Sequence, residues 1–162
     1  MIGRRRLLSA LVAAAVGSAA APMALGANGQ TRKKTGRKLP WRNWSGSQRC
    51  LPDARKAPAS IADLRDLVRS SQGVIRPVGA GHSFTPLVPT DGTIVSLARM
   101  GGVVSHDPDA LQATVKAGTR LGELGQPLED IGQALINMPD IDEQTLAGCL
   151  GTATHGTGTG IG

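Results

Sequence analysis

The chain has 162 residues and a formal net charge of +6, but the excess of positive charge lies in its first third. From Ala57 onward, six basic residues stand against eleven acidic ones. This acidic part holds one Phe and no Tyr, so it lacks the basic surface and the aromatic side chains that hold nucleic acids. We therefore predict one domain of ordinary size with no nucleic-acid partner.

The first 26 residues have the three parts of an export signal. Three arginines at residues 4–6 precede an uncharged, Ala-rich run at residues 7–21, which is shorter than the roughly 20 residues that span a bilayer. Ala24 and Gly26 provide small residues for a cleavage site. We expect export to the periplasm, cell envelope or medium by a twin-arginine-like route, with the twin-arginine translocase as a partner. An uncleaved signal that anchors the protein to the membrane is the alternative.

A basic linker is predicted at residues 27–40, followed by a domain at residues 41–162. The linker is polar and shows no hydrophobic periodicity, which is typical of solvated chain. Trp41 and Trp44 open the domain. We expect them to form a packed edge that tethers the amino terminus to the core, in preference to a ligand contact.

The rest of the domain alternates short helices with short strands. Ser60 and Asp63 have the positions of a helix cap and a first-turn acid. In later segments the apolar residues recur at helical spacing or alternate as they do in strands. The predicted elements are a helix from Ser60 to Gly73, strands at 74–78 and 93–97, a hairpin of 103–105 and 111–117 around a turn at 106–109, a helix at 120–131, a strand at 134–138 and a short helix near Thr145. This mixture predicts the α+β class.

Two glycine-rich loops stand out as a ligand site. Gly79 and Gly81 flank one small residue, so the backbone there can approach a ligand and direct its amides at phosphate oxygens. About seventy residues later, a Gly/Thr loop follows a helix that begins near Thr145, and such a helix directs its positive end at an anion. Neither loop fits the G-x-G-x-x-G pattern of a Rossmann site. Two such loops suit a diphosphate ligand better than a single phosphate.

Four segments, of which the first and the last contain these loops, resemble a known family: RPVGAGHSF, PTDGTIVSL, AGTRLGEL and MPDIDEQTLAGCLGTATHGTG. They resemble the FAD-linked oxidases of the vanillyl-alcohol oxidase type, whose flavin domain is the PCMH-type FAD-binding domain. The sugar-1,4-lactone oxidases and alditol oxidases are the most similar members. The likeness covers residues 41–162 and implies the amino-terminal part of such a domain, cut short at its carboxy end within the second glycine loop.

The resemblance implies that His82 is joined covalently to the 8α-methyl carbon of FAD. It also implies a set of cofactor-binding residues, namely Pro77, Val78, Gly79, Ala80, Gly81, Ser83, Phe84, Thr145, Gly148, Cys149, Thr152, Thr154, His155 and Gly156. Small Ser or Ala residues are common in the family where Cys149 stands. We expect His155 to fix the shape of its loop, and His106 to be a surface residue of a turn.

Neither the cysteines nor the acidic residues predict a metal site. Cys50 and Cys149 have no metal-ligand spacing; a disulfide is possible in an exported protein, but we expect Cys149 to be a buried thiol. The acidic residues at 140–143 precede a helix, where such residues are usually solvated or stabilise the first turn.

The resemblance implies an exported flavin-dependent oxidoreductase that oxidises an alcohol group of a sugar lactone or polyol, with O₂ as acceptor. In the family the catalytic base lies in a later domain, so no catalytic residue is predicted here and the piece alone should be inactive. Two alternatives remain: a non-covalent flavin dehydrogenase of the same fold with another acceptor, and an inactive, truncated secreted binding module.

Overall fold

The computed structural model describes residues 37–160. The predicted export signal and residues 27–36 of the predicted linker lie outside the described residues. Within the described range, no helix is both long enough and apolar enough to cross a membrane.

Strands and short helices are interspersed along the described chain. The strands are β1 (Trp41–Arg42), β2 (Arg49–Cys50), β3 (Ala54–Lys56), β4 (Ile75–Val78), β5 (Thr93–Ser96), β6 (Val103–Asp107) and β7 (Gln112–Val115). The helices are α1 (Ile61–Ser70), α2 (Gly125–Glu129) and α3 (Leu146–Gly151), with a 3₁₀ turn at Leu121–Glu123. The α+β prediction is confirmed.

A parallel three-stranded sheet positions the first glycine loop. Its order is β3-β5-β4, so β5 lies in the centre and pairs in parallel with both neighbours. Ile94 and Val95 of β5 are among the most deeply buried residues described, at 2% and 3% exposed, as expected for the middle strand of a parallel sheet. The chain leaves the carboxyl end of β4 at Val78 and enters the glycine loop at once.

Helix α1 connects β3 to β4 and begins where the sequence predicts. The Ser60 hydroxyl accepts a hydrogen bond from the Asp63 amide at 3.1 Å, which satisfies one of the free amides of the first turn. The helix ends at Ser70 and not at Gly73, because the Ser71 amide and hydroxyl both donate to the Leu67 carbonyl and close the last turn. The predicted helix is confirmed with an earlier end.

The hairpin of β6 and β7 differs from the prediction in the position of its turn. His106 and Asp107 lie in β6, where they pair with Ala113 and Gln112, and not in the turn. The cause is the Asp107 carboxylate, which accepts hydrogen bonds from the amides of residues 109 and 110, both at 3.0 Å, and so starts the reversal after Asp107. The assignment of His106 to a turn was therefore wrong, although its side chain is exposed.

The predicted helix at 120–131 is broken into the 3₁₀ turn and α2. Pro127 has no amide to donate, so a continuous ladder cannot pass through this segment. Leu121, Leu124 and Leu128 nevertheless share one buried face and pack with Cys149 into a small core beside the β6–β7 hairpin. The hydrophobic spacing was a better guide to burial than to helix length.

The predicted strand at 134–138 is wrong, because these residues pair with no strand among those described. Their contacts are to the second glycine loop instead: a Cβ at Gly156 would overlap the Asn137 side chain and the Met138 carbonyl. Gly156 therefore covers the backbone at Met138, which leaves no free edge there for a ladder. The short strands β1, β2 and β3 were not predicted.

Close backbone packing makes Gly92 a sensitive position of the sheet. A methyl group at Gly92 would overlap the Val74 carbonyl, which accepts the Thr93 amide at 2.9 Å. We expect Gly92→Ala to lower the free energy of unfolding of the full-length protein by about 1–3 kcal/mol, the usual cost of overpacking, as measured by urea denaturation. Gly125→Ala is the control, since a Cβ there meets nothing within 4 Å, and it should leave stability equal or higher. Equal stability of the two variants would contradict this packing.

Candidate functional site

The first glycine loop is tied down by the segment around the tryptophans. The Gly81 carbonyl accepts the Trp44 amide at 2.8 Å, and the Ser83 carbonyl accepts the Asn43 side-chain amide at 3.0 Å. Gly81 has a φ of +75°, a left-handed conformation that glycine adopts without strain. His82 lies between these two anchored carbonyls.

The second glycine loop follows helix α3, whose start is capped by Thr145. The Thr145 hydroxyl accepts a hydrogen bond from the Gly148 amide at 3.3 Å. The Leu146 and Ala147 amides donate to the Thr119 and Ala117 carbonyls. These bonds hold the start of α3 against the chain that follows β7, so Thr145 is buried at 7% exposed.

The first glycine loop meets the start of α3 where Gly79 faces Thr145. A Cβ at Gly79 would overlap the Thr145 hydroxyl oxygen, and a Cβ at Gly148 would lie 2.9 Å from the same atom. Only glycine permits so close an approach on both sides of one hydroxyl. The structure thus brings the first glycine loop to the helix that precedes the second one, and the pairing of the two loops around one ligand stays a prediction.

A cavity of about 450 Å³ lies between the first glycine loop and α3. The predicted attachment residue His82 and nine of the predicted cofactor-binding residues line it: Pro77, Val78, Gly79, Ala80, Gly81, Ser83, Thr145, Gly148 and Thr152. Sequence reasoning missed eight further lining residues: Arg76, Leu87, Val88, Leu97, Ala117, Gln144, Ala147 and Gly151.

The other predicted residues lie outside this cavity. Phe84 is 67% exposed. Cys149 and Thr154 line a second cavity of about 230 Å³, on the side of the small core. The His155 ring nitrogen Nδ1 lies 2.8 Å from the Gly156 carbonyl oxygen, a local contact of the kind that fixes loop shape. The structure does not bring these residues to the first cavity, and their roles toward a cofactor stay predictions.

Cys149 is a buried, free thiol, and Cys50 is also free. Burial raises the pKa of the Cys149 thiol, and this effect exceeds the opposite one of its hydrogen bonds to Thr154 and backbone. A raised pKa keeps the group as the neutral thiol at neutral pH, which makes it a weak nucleophile. The expectation of a buried thiol is confirmed.

Gln144 has a buried polar atom without a partner. Its Oε1 is shielded from solvent and receives no hydrogen bond from any described residue, while its side chain lines the first cavity. If the amide were turned by 180°, a donor would be buried there instead, so a polar atom stays unmatched either way. If the side chain turned toward the cavity, a ligand with hydroxyl or N–H groups would satisfy it. Its position directly before the helix cap Thr145 was the available sequence signal.

The two tryptophans have different environments. Trp41 is buried at 7% exposed, as the predicted packed edge requires, whereas Trp44 is 69% exposed. The Trp44 ring lies against the His82 imidazole, with ring centroids 5.2 Å apart and an interplanar angle of 19°. Trp44 thus contacts a predicted site residue, which the sequence did not indicate.

The acidic segment at residues 140–143, just before α3, takes part in an ion pair. Glu143 forms an ion pair with Arg120 at 2.5 Å, and both side chains are about half exposed or more. Among residues 37–160, no three His, Cys, Asp or Glu side chains are grouped as metal ligands would be.

The first cavity suits a large cofactor with a diphosphate. Its volume falls within the range of about 300–1,000 Å³ that is typical of ligand sites. Residues of the first glycine loop and of α3 line it, together with apolar residues such as Leu87, Val88 and Leu97, and with the unmatched Gln144. Amides and glycines suit phosphates, and the apolar wall suits a flat ring. The residues present therefore fit FAD.

Comparisons with known proteins agree with this chemistry. Residues 52–162 match the family described as "FAD binding domain". The chain is similar to L-gulono-1,4-lactone dehydrogenase of Mycobacterium tuberculosis, with 39% identity over 73% of this chain and 28% of that protein. It is also similar to L-gulonolactone oxidase of Mus musculus (32%; 73% of this chain, 28% of that protein) and to D-arabinono-1,4-lactone oxidase of Kluyveromyces lactis (35%; 72% and 24%). The chain spans about a quarter of the length of these relatives.

Solved structures agree on the fold. A solvent-stable cholesterol oxidase matches with a TM-score of 0.57 and 22% identity, over 74% of this chain and 24% of that one. Cholesterol oxidase from B. sterolicum matches with a TM-score of 0.56 and 21% identity over the same shares. The predicted fold and family are confirmed. Because the family match covers more than half of the chain and the fold agrees with it, the chain belongs to the FAD-binding domain family and has the PCMH-type fold.

Proposed function

We propose that this domain binds FAD in the cavity between its first glycine loop and α3 and holds it covalently through His82, as part of an oxidoreductase that oxidises an alcohol group of an aldonolactone or polyol. The observation that carries the proposal is the approach of Gly79 to Thr145, which brings the first glycine loop and α3 to one cavity. The names of the relatives, which are lactone oxidases and dehydrogenases, support the substrate class.

The residues of this chain have distinct tasks in that function. The amides of residues 79–81, which line the cavity, hold the diphosphate. The first amides of α3 already donate to Ala117, Thr119 and Thr145 within the chain, so α3 contributes the wall of the cavity. Gln144 lines the cavity, and a turn of its side chain would let its buried Oε1 accept a hydrogen bond from a hydroxyl or N–H group of the cofactor. His82 provides the imidazole nitrogen for attachment. When bound, FAD supplies the acceptor for a hydride from the substrate carbinol carbon.

In this proposal, O₂ is the electron acceptor that reoxidises the reduced enzyme. A second candidate is a dehydrogenase that passes electrons to another acceptor, and it is favoured by the name of the Mycobacterium relative. Oxygen consumption by the full-length protein with aldonolactones and polyols, compared with reduction of an artificial dye, separates the two. Activity with neither substrate class would contradict the proposed reaction.

Export by the twin-arginine translocase is the proposed route to the cell envelope or medium. The support is the arginine triplet at residues 4–6 ahead of the uncharged run at 7–21. Such a route moves folded proteins, so a cofactor bound in the cytoplasm would travel with the chain. Replacing the triplet with lysines should leave the protein in the cytoplasm, as cell fractionation would show.

His82→Ala is the direct test of covalent attachment. We expect the full-length wild-type protein to give a flavin-fluorescent band on a denaturing gel, because a covalent bond survives unfolding. The variant should lose the band entirely, whereas His106→Ala, on an exposed strand position, should keep it. A fluorescent band in His82→Ala would rule out this attachment, and a wild type that binds FAD but gives no band would favour non-covalent binding.

Gln144→Met should affect the apoprotein and the cofactor complex in opposite directions. Removing an unmatched buried polar atom should raise the free energy of unfolding of the apoprotein by up to about 1–3 kcal/mol. Loss of one hydrogen bond should weaken FAD binding about two- to tenfold. Thermal unfolding with and without FAD, in a His82→Ala background, measures both effects.

Gln72→Met is the matched control, because Gln72 is exposed and lines neither cavity, and it should change neither quantity. If Gln144→Met lowered the stability of the apoprotein and left FAD affinity unchanged, Gln144 would have a structural partner and no cofactor contact.

A further inference from the structure

Trp44 stacks on His82, so its large aromatic ring covers a face of the imidazole that solvent would otherwise contact. The Trp44 side chain is 69% exposed, yet its indole lies nearly parallel to the imidazole, at 19°, with centroids 5.2 Å apart. This is the separation and geometry of an attractive aromatic pair. An indole in this position limits the rotation of the imidazole about its side-chain bonds.

The backbone on both sides of His82 is held by the same segment that carries the indole. Trp44 donates its amide to Gly81, and Asn43 donates its side-chain amide to Ser83. Asn43 is only 3% exposed and is itself fixed, because its Oδ1 accepts the Gln48 amide at 3.0 Å. The imidazole and both neighbouring carbonyls are therefore constrained by one short stretch of chain.

Trp44 constrains the His82 imidazole from outside the first cavity. His82 lines the first cavity, but neither Trp44 nor Asn43 does. The indole can therefore orient the imidazole without contact with a ligand in the cavity. This separates the orientation of His82 from the binding of the cofactor.

We propose that Trp44 is a positioning residue that holds the His82 imidazole in the orientation needed for attachment to FAD. The inference rests on the proposed covalent role of His82. Attachment forms a bond between an imidazole nitrogen and the 8α carbon, and it breaks the imidazole N–H bond and one C–H bond of the 8α-methyl group. The two electrons and two hydrogens released reduce the flavin ring, and O₂ then reoxidises it to give hydrogen peroxide.

Orientation matters in this step because a nitrogen lone pair must point at one carbon atom. A ring held in the reactive orientation avoids the entropic cost of finding it in each encounter. Another flat aromatic ring could provide the same surface, so phenylalanine should replace Trp44 in part. Alanine should not.

The first measurement is the rate of attachment in the full-length protein. Apoprotein produced under flavin limitation is mixed with FAD under air, and flavin fluorescence on denaturing gels is followed with time. We expect Trp44→Ala to slow attachment about three- to tenfold, the factor that an aromatic pair of this kind contributes. Trp44→Phe should recover most of the rate, and the dissociation constant for FAD before attachment should not change.

The second measurement reports the stack without any flavin. Diethyl pyrocarbonate modifies accessible imidazoles, and peptide mapping by mass spectrometry resolves His82 from His106. Trp44→Ala should speed the modification of His82 in the apoprotein and leave His106 unchanged. Val104→Ala removes another exposed apolar side chain, 60% exposed and on β6, and should alter neither attachment nor modification.

The outcomes distinguish this inference from the function on which it rests. Wild-type protein without any covalent flavin would overturn the role of His82 and this inference with it. Covalent flavin that forms at the same rate in Trp44→Ala as in wild type would overturn this inference alone. This inference would also be overturned if Trp44→Ala lowered FAD affinity and thermal stability as strongly as it lowered the attachment rate, because Trp44 would then have a purely structural role.

Discussion

The close approach of Gly79 to the Thr145 hydroxyl is the contact on which the site depends. It joins a loop at the end of a parallel strand to the capped start of α3, 66 positions later in the numbering of the chain. Each side contributes what the other lacks: the first brings the imidazole and bare backbone, and the second brings a helix start and hydroxyls. The parallel sheet fixes one side of this contact, and the small leucine core fixes the other.

Patterns that act over a few residues predicted the structure well. The Ser60 cap, the strand before the glycine loop and the helix after Thr145 each follow from nearest-neighbour chemistry. The failures needed information from farther along the chain. Nothing near residues 134–138 indicates that Gly156 will cover them, and the side chain of Asp107 moved a turn that composition alone placed two residues too early.

The same distinction applies to the site. Glycine spacing and family resemblance together located ten residues of the first cavity, because glycines that permit close approach are visible in sequence. Trp44 and Gln144 were missed for a common reason. Trp44 reaches His82 across nearly forty residues, and the unmatched atom of Gln144 is defined only by the absence of neighbours in three dimensions.

The central place of β5 has a kinetic consequence. This strand pairs with β3, which precedes it by almost forty residues, as well as with β4. Neither outer strand can join a sheet until β5 is present, so the sheet closes only after a non-local step, and such steps are slow. During synthesis the first glycine loop therefore emerges before the strand that supports it. A cofactor that binds only the assembled site would shift the folding equilibrium of the sheet toward the folded state.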